Sequence, residues 1–239
     1  MNDLLSSVIQ AHGGLERWNR FEKVEATIVS GGAFWGMHGL VQGPEPRHMT
    51  VWLHEERASV QPFGAPDQRT SFMPHRIAIE KTDGTIVAER HEPRAVFDRR
   101  TMTSPWDALD RAYFNGYALW TYLTTPFLLT TAGVEVTEIE PWREDGETWR
   151  VLRARFPELI ETHSAVQDFF FGDDFLLRRH DYDVDISGRF PGAQLVFDYV
   201  EADGIRLPSK RRAYERSPDR HLQLDPVMVS IDETSIHYS

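Results

Sequence analysis

The sequence predicts a mainly β (α+β) fold, in which an antiparallel meander of about ten strands forms an open, strongly curved half-barrel. Apolar and polar residues alternate with a period of two along most of the chain, and Gly or Asp-Gly turns interrupt these runs. Short turns make neighbouring strands antiparallel, and a large sheet curls and needs a cover for its apolar concave face. Two helical stretches are expected to supply that cover, within a single domain of residues 1–239.

Helical spacing of apolar residues marks these two stretches. The first lies near the N-terminus, where Asn2 or Asp3 can cap a helix that Gly13-Gly14 interrupts near its end. The second runs from Pro105 to about Leu123, with Ser104 as its predicted N-cap and the proline at the first helical position. Aromatic residues form one stripe of the second helix, so we expect this helix to cover the sheet.

Strands are predicted where the apolar period is two. They are expected at about Lys23 to Gly32, Arg47 to Glu56, Thr70 to Lys81, Thr85 to Phe97, Val134 to Trp142, Thr148 to Phe156, Ala165 to Phe171, Phe175 to Ile186, Gln194 to Glu201, Ile205 to Glu215 and Val227 to His237. Turn residues separate several of them, at Asp83-Gly84, Asp145-Gly146, Gly172-Asp173-Asp174 and Asp203-Gly204. We therefore expect each strand to pair with the next along one meander.

The composition excludes several classes of function. The chain has no cysteine, which excludes disulfides, thiolate catalysis and cysteine-bound metal centres. Its 26 basic and 37 acidic residues give a net charge of −11, so nucleic acid is not an expected partner. The N-terminus lacks the pattern of a secretory signal, and Pro126 and several threonines break the longest apolar stretch. We expect a soluble, cytoplasmic protein without stable membrane insertion.

Motifs of nucleotide-driven enzymes and common hydrolases are also missing. The sequence has no GxSxG, GxxxxGK[ST] or HExxH motif, and no GxGxxG motif between a strand and a helix. We therefore expect no cofactor.

Two segments resemble the LolA/LolB-like lipoprotein-carrier superfamily. In AHGGLERWNRFEKVEATIV, a helix with Gly-Gly near its end leads into the first strand, and in YVEADGIRLPSKRRAY a strand, an Asp-Gly turn, an apolar pair and a proline precede the next strand. The resemblance implies an unclosed β-barrel whose mouth is plugged by helices and whose interior holds acyl chains or other apolar ligands. The sequence shows neither the signal-peptide pattern nor the lipobox cysteine of the carriers, so we expect the fold and its apolar interior to be shared with them but not the lipoprotein ligand.

The aromatic stripe of the second helix is the first candidate site. Trp106, Tyr113, Tyr117 and Trp120 combine large apolar faces with polar tips, which suits the wall of a pocket for a partly polar ligand. Aromatic stripes at helical spacing are equally typical of core residues that pack on a sheet. The sequence leaves both interpretations open.

The hairpin around Gly172-Asp173-Asp174 is the second candidate. If Phe171 faces Phe175, Asp168 pairs with Arg178. Side chains alternate between the two faces of a strand, so one inward face would carry four polar residues: Asp168, Arg178, His180 and Tyr182. As candidate catalytic residues, Arg178 would hold an anionic or carbonyl oxygen while His180, oriented by a carboxylate, moved a proton.

The same hairpin also allows a structural interpretation, in which these polar residues form an ion-paired network at the barrel rim. The opposite face of the second strand carries a row of charges that is expected in solvent: Arg179, Asp181, Asp183 and Asp185. A change of one residue in register would pair Asp168 with Arg179 and weaken the catalytic interpretation.

The strand around Trp52 supplies two further candidate ligand-binding residues, Trp52 and His54, which alternate with apolar residues on the same face as His48. The two histidines are six residues apart, or about 20 Å along a strand, so they cannot share a metal ion. We expect no metal site, because ligands must converge.

Two functions fit such a container, and both need a hydrophobic or amphipathic small molecule as partner. One is an enzyme that catalyses a cofactor-independent isomerisation, cyclisation, elimination or hydrolysis. The other is a non-catalytic carrier or binding protein. The polar residues expected inside the pocket favour the enzyme slightly, because a lipid carrier needs little beyond apolar walls. Ligand identity and oligomeric state are not predicted.

Overall fold

The computed structural model describes residues 3–239, so Asn2, one of the two possible caps of the first helix, lies outside the described residues. The described chain contains four α-helices: α1 (Asp3–Ala11), α2 (Leu15–Trp18), α3 (Phe34–Met37) and α4 (Ala108–Thr124). α1 and α4 are the two predicted helices, whereas α2 and α3 are single turns.

Fourteen strands of the described chain form one open sheet with antiparallel neighbours. Their bounds are β1 (Lys23–Gly31), β2 (Arg47–Trp52), β3 (Arg57–Gln61), β4 (Gln68–Met73), β5 (Arg76–Lys81), β6 (Ile86–His91), β7 (Glu135–Glu144), β8 (Glu147–Arg155), β9 (Val166–Phe171), β10 (Leu177–Val184), β11 (Phe190–Ala202), β12 (Ile205–Arg216), β13 (Leu222–Gln223) and β14 (Val229–Tyr238). The open antiparallel sheet is as predicted, but the number of strands exceeds the prediction of about ten.

Local features account for the additional strands. The predicted run from Thr70 to Lys81 reverses at its middle, where His75 takes a left-handed conformation (φ 62°) between β4 and β5. β3 and β13 are only five and two residues long, too short to show a clear alternation of apolar and polar residues.

The sheet consists of two meanders rather than one. The strand order is β6-β5-β4-β3-β2-β1-β14-β12-β11-β10-β9-β8-β7, with β13 paired to β12. β1 and β14 join the two meanders at the centre, whereas β6 and β7 form the outer edges. Because α4 lies between β6 and β7 in the sequence, the chain has to pass from one edge of the sheet to the other through this helix.

α4 lies in the space that the sheet encloses. One side of the helix packs against β2 to β6, and at Gly116 a Cβ atom would lie 2.3 Å from Cγ of Phe72. On the other side, the Tyr117 hydroxyl contacts His163, and Arg211 of β12 donates a hydrogen bond to the main-chain carbonyl of Tyr122 (3.0 Å). Since both meanders contact the same helix, the sheet has to curve around it.

The start of α4 differs from the predicted one. The helix begins at Ala108, and its N-cap is Asp107, whose side chain accepts from the main-chain N–H of Asp110 (2.8 Å). The Asp110 carboxylate accepts in turn from the Asp107 N–H (2.9 Å), which completes a capping box. Ser104, the predicted N-cap, instead accepts from the main-chain N–H of Thr101 (2.9 Å).

Candidate ligand-binding site

The β9–β10 hairpin has a different register from the predicted one. Asp168 pairs with Asp181 and not with Arg178, a shift of three residues. The turn is longer than predicted because Phe175 takes a left-handed conformation (φ 61°), and a bulge follows in β10. A register shift by an odd number of residues moves each side chain of β9 to the opposite face relative to the side chains of β10. The four candidate catalytic residues therefore do not share one inward face: His180 and Tyr182 face inward, whereas Asp168 lies on the outer face and Arg178 at the turn. The predicted grouping of Asp168, Arg178, His180 and Tyr182 is wrong in this respect.

Asp168 lies on the outer face of the sheet, in a network of ion pairs. Its carboxylate accepts two hydrogen bonds from Arg153 (2.8 Å each) and one from Arg220 (2.7 Å). Arg179 and Asp181 belong to the same face, and both are buried. The expectation that these charges lie in solvent is wrong, because the segment between β12 and β13 folds over them and carries Arg220.

Arg178 lies at the turn of the hairpin. Its guanidinium donates to the Asp174 carboxylate (2.9 Å), and its Nε lies 3.8 Å from Glu147. These residues line an open cleft of about 500 Å³ beside the turn. Arg178 is thus an ion-paired residue of the rim.

His180 and Tyr182 lie on the inner face, as predicted, within a buried polar network. The Nε2–H of His180 donates to the Gln167 side-chain oxygen (2.6 Å). The Tyr182 hydroxyl is 3.1 Å from the Tyr122 hydroxyl, which is 2.7 Å from Nε2 of His163. α4, β9 and β10 each contribute to this network, so it ties the helix to the second meander.

Both histidines of the network are neutral. Burial, with a smaller contribution from the positive charge of Arg94, lowers the pKa of His163 to about 3. Burial also lowers the pKa of His180 well below its ordinary value. His163 was not predicted, because it lies in an irregular segment before β9 where no periodic pattern indicates which way a side chain points. Hydroxyl and imidazole groups of this kind can exchange protons, but here they are enclosed.

The aromatic stripe of α4 is packed as core. All four members are buried: Trp106, Tyr113, Tyr117 and Trp120. The Tyr113 hydroxyl donates to the Glu161 carboxylate, and the Tyr117 hydroxyl is 3.3 Å from Nδ1 of His163. Trp106 precedes the helix and stacks on His38, with 4.0 Å between the ring centroids. The polar tips of Tyr113, Tyr117 and Trp120 have hydrogen-bond partners, whereas the buried indole N–H of Trp106 has none. All four rings pack at the junction between helix and sheet, which they stabilise by burying apolar surface.

Trp52 and His54, predicted as ligand-binding residues, lie away from the enclosed space. Residues 47, 49 and 51 of β2 are buried, whereas Trp52 is half-buried on the other face, with its ring 4.1 Å from the Arg57 guanidinium. His54 is exposed in the turn after β2. It lines a shallow cavity of about 260 Å³ together with Trp120, whose indole N–H donates to the Trp52 carbonyl (3.0 Å).

Another cavity lies where the loops before β2 and after β3 meet the start of α4. We name it the mouth pocket. Its volume is about 380 Å³, within the range of small-molecule sites. Apolar residues form most of its wall, and they include Leu40, Pro62, Phe63, Pro66 and Ala108. The charged residues of its lining are Glu45, Arg47 and Arg111.

The two arginines of the mouth pocket come from different elements. Arg47 is the first residue of β2, is 8% exposed, and donates to the Ser30 hydroxyl. Arg111 lies in the first turn of α4, with its guanidinium 5.4 Å from the Trp35 ring. Burial, followed by the positive charge of Arg111, lowers the pKa of Arg47 to about 10, although Glu45 opposes this. Both arginines are nevertheless cationic at neutral pH.

A narrow gap of about 20 Å³ lies on the inner side of the mouth pocket. Arg47 lines both spaces, and Ile28, Ala118 and Tyr122 line the gap. A ligand chain can therefore extend from the pocket towards the polar network only if side chains of α4 move.

Two kinds of feature are missing from the described residues. No helix between residues 3 and 239 has the length and apolar character needed to cross a membrane. The same range holds no group of three histidine or acidic side chains placed to bind one metal ion.

No protein-family model matches the chain, and no curated protein matches it in sequence. Solved structures similar to it include a LolA superfamily protein from Nitrosomonas europaea (10% identity, 93% of this chain and 90% of that chain covered, TM-score 0.49). A DUF1329 family protein from Desulfovibrio piger is also similar (10% identity, 99% and 92% covered, TM-score 0.47). A third is a putative outer membrane lipoprotein-sorting protein domain from Vibrio parahaemolyticus (12% identity, 97% and 91% covered, TM-score 0.43). All three TM-scores are below 0.5.

Proposed function

We propose that the protein binds a hydrophobic or amphipathic small molecule in the mouth pocket, as a carrier or binding protein. One observation carries the proposal: this cavity of about 380 Å³ has a largely apolar wall and adjoins the space that the sheet encloses. A wall of this kind stabilises an apolar chain by removing it from water, by about 25 cal/mol per Å² of buried apolar area. Polar groups at one end of the pocket then orient the ligand.

Filling the mouth pocket is expected to abolish binding. Ala108 is exposed at the first position of α4 and lines the pocket, so the variant Ala108→Trp places an indole in the cavity without disturbing the core. We expect the affinity for decanol, measured by isothermal titration calorimetry, to fall at least about tenfold, since the chain loses its buried surface. Ala132→Trp, at an exposed alanine of the loop before β7, is the matched control. Equal affinities of the two variants would refute the proposal.

Catalysis at His180 is the second candidate, and it rests on the buried network of His180, Tyr182, Tyr122 and His163. It requires the ligand to enlarge the gap of about 20 Å³ beside Tyr122. In His180→Gln the amide replaces the imidazole N–H towards Gln167 but cannot transfer a proton at neutral pH. Incubation of the wild type with a ligand that co-purifies should then yield a product in mass spectrometry, and the variant should yield none. If the ligand is unchanged in both samples, the catalytic candidate is refuted and only the carrier function remains.

A further inference from the structure

We propose that the mouth pocket recognises the oxyanion head group of an amphiphile, a carboxylate or a phosphate, through Arg47 and Arg111. The inference rests on the proposed function and names the chemical class of its ligand. The apolar wall of the pocket holds the hydrocarbon chain, while the two guanidinium groups hold the negative charge.

Both arginines lack the partner that a buried guanidinium usually has. Neither of them forms an ion pair with a carboxylate of the described residues, although Arg47 is 8% exposed and Arg111 is half-buried. The Nε–H of each is buried and has no hydrogen-bond partner. Arg179 is the contrasting case, since this buried arginine contacts two carboxylates within 2.6 Å. A buried cation that is not paired is costly, and a bound anion would remove that cost.

The two side chains are held in position without any anion. Arg47 donates to the Ser30 hydroxyl, and Arg111 donates to the side-chain oxygen of Gln42 and to the Val41 carbonyl (3.3 Å). The Arg111 guanidinium also lies 5.4 Å from the Phe63 ring, a cation–π distance. A guanidinium has five N–H donors, so these contacts leave donors for an oxyanion. Groups that are already ordered lose little entropy when the ligand binds.

The charges of the lining favour an anion over a cation. Arg47 and Arg111 contribute two positive charges, and Glu45, which is exposed, contributes one negative charge. The sum is +2 − 1 = +1 among these lining residues. The two guanidinium groups are close enough to interact, because the charge of Arg111, after burial, lowers the pKa of Arg47. One negative charge on the ligand would balance the pocket.

Four probes with the same ten-carbon chain distinguish the contribution of the head group to the affinity from that of the chain. They are decanoate, decyl phosphate, decanol and decyltrimethylammonium. Calorimetric titrations at low salt, below the concentrations at which the probes form micelles, give the affinity of each. We expect the two anions to bind at least about tenfold more tightly than decanol, and the cation to bind most weakly, because charge-assisted hydrogen bonds add to the chain's contribution.

Substitutions then assign the effect to the two arginines. Arg47→Gln and Arg111→Gln should each weaken decanoate binding about tenfold while leaving the decanol affinity within about twofold. Glu45→Gln should strengthen decanoate binding about two- to threefold, and because Glu45 is exposed this variant keeps the core intact. Arg155→Gln, which removes an exposed arginine of β8, is the control for net charge and should change neither affinity.

The outcomes separate the two proposals. If none of the four probes binds, the proposed function fails. If decanol binds as tightly as decanoate, and the arginine and glutamate substitutions do not discriminate between them, the pocket binds chains but the inference of an oxyanion site is wrong. Preference for the cation would also overturn it.

Discussion

Replacing Arg179 with alanine is expected to lower the free energy of unfolding by about 3–5 kcal/mol, because breaking a buried ion pair leaves an uncompensated charge. Arg179 is fully buried, and its guanidinium donates two hydrogen bonds to Asp181 (2.6 and 3.0 Å) and one to Glu144 (2.6 Å). Without it, the nearest arginine nitrogen to the buried Asp181 carboxylate belongs to Arg216, at 3.7 Å. Urea denaturation followed by circular dichroism at pH 7 measures the effect.

The control for this substitution is Arg155→Ala, which also removes an arginine from the second meander. Arg155 is exposed, so its loss should change the free energy of unfolding by less than about 0.5 kcal/mol. A loss below about 1 kcal/mol for Arg179→Ala would mean that the outer network does not stabilise the fold and that solvent reaches Asp181.

Replacing Glu233 with glutamine is expected to stabilise the protein by up to about 3 kcal/mol at pH 8 and by almost nothing at pH 4. Glu233 is 3% exposed on β14, neither carboxyl oxygen has a hydrogen-bond partner, and the nearest cation is Arg211 at 3.9 Å. Burial raises the pKa of Glu233 from its ordinary value of 4.5 to about 7, although Arg211 opposes this.

The sign of the pH dependence follows from the direction of this shift. A carboxyl whose pKa is higher in the folded than in the unfolded protein takes up a proton on folding. Its contribution to stability is therefore complete below pH 4.5 and is lost as the pH rises through about 7. The free energy of unfolding, measured by urea denaturation from pH 4 to pH 8 and plotted against pH, should become equal for wild type and Glu233→Gln at the acid end. Parallel curves, like those expected for the exposed Glu201→Gln, would show that Glu233 is charged in the fold.

Local patterns in the sequence predict much of the fold because they are set by neighbouring residues. The alternation that begins at Lys23 and at Ile205 identifies β1 and β12, and the helical spacing before Leu123 identifies α4. The same alternation places His180 and Tyr182 inward, since parity within a strand does not depend on its partner.

The candidate site depends on relations between strands, which such patterns do not contain. Asp168 lies on the outer face rather than the predicted inner face because the longer turn at Phe175 shifts the register by two residues and the bulge in β10 adds a third. Arg179 is buried because Arg220, far along the chain, covers it. The mouth pocket joins the start of β2 to the start of α4, and only the passage of α4 across the sheet brings Arg47 and Arg111 together.

The pairing of β1 with β14 also orders events during biosynthesis. Of these fourteen strands, Lys23–Gly31 is synthesised first, and its neighbour Val229–Tyr238 is synthesised last. Until then, one side of β1 is an unpaired edge, and such edges associate readily with other chains. The middle of the sheet is thus the last region to be completed, and this edge of β1 stays open until Val229–Tyr238 has been synthesised.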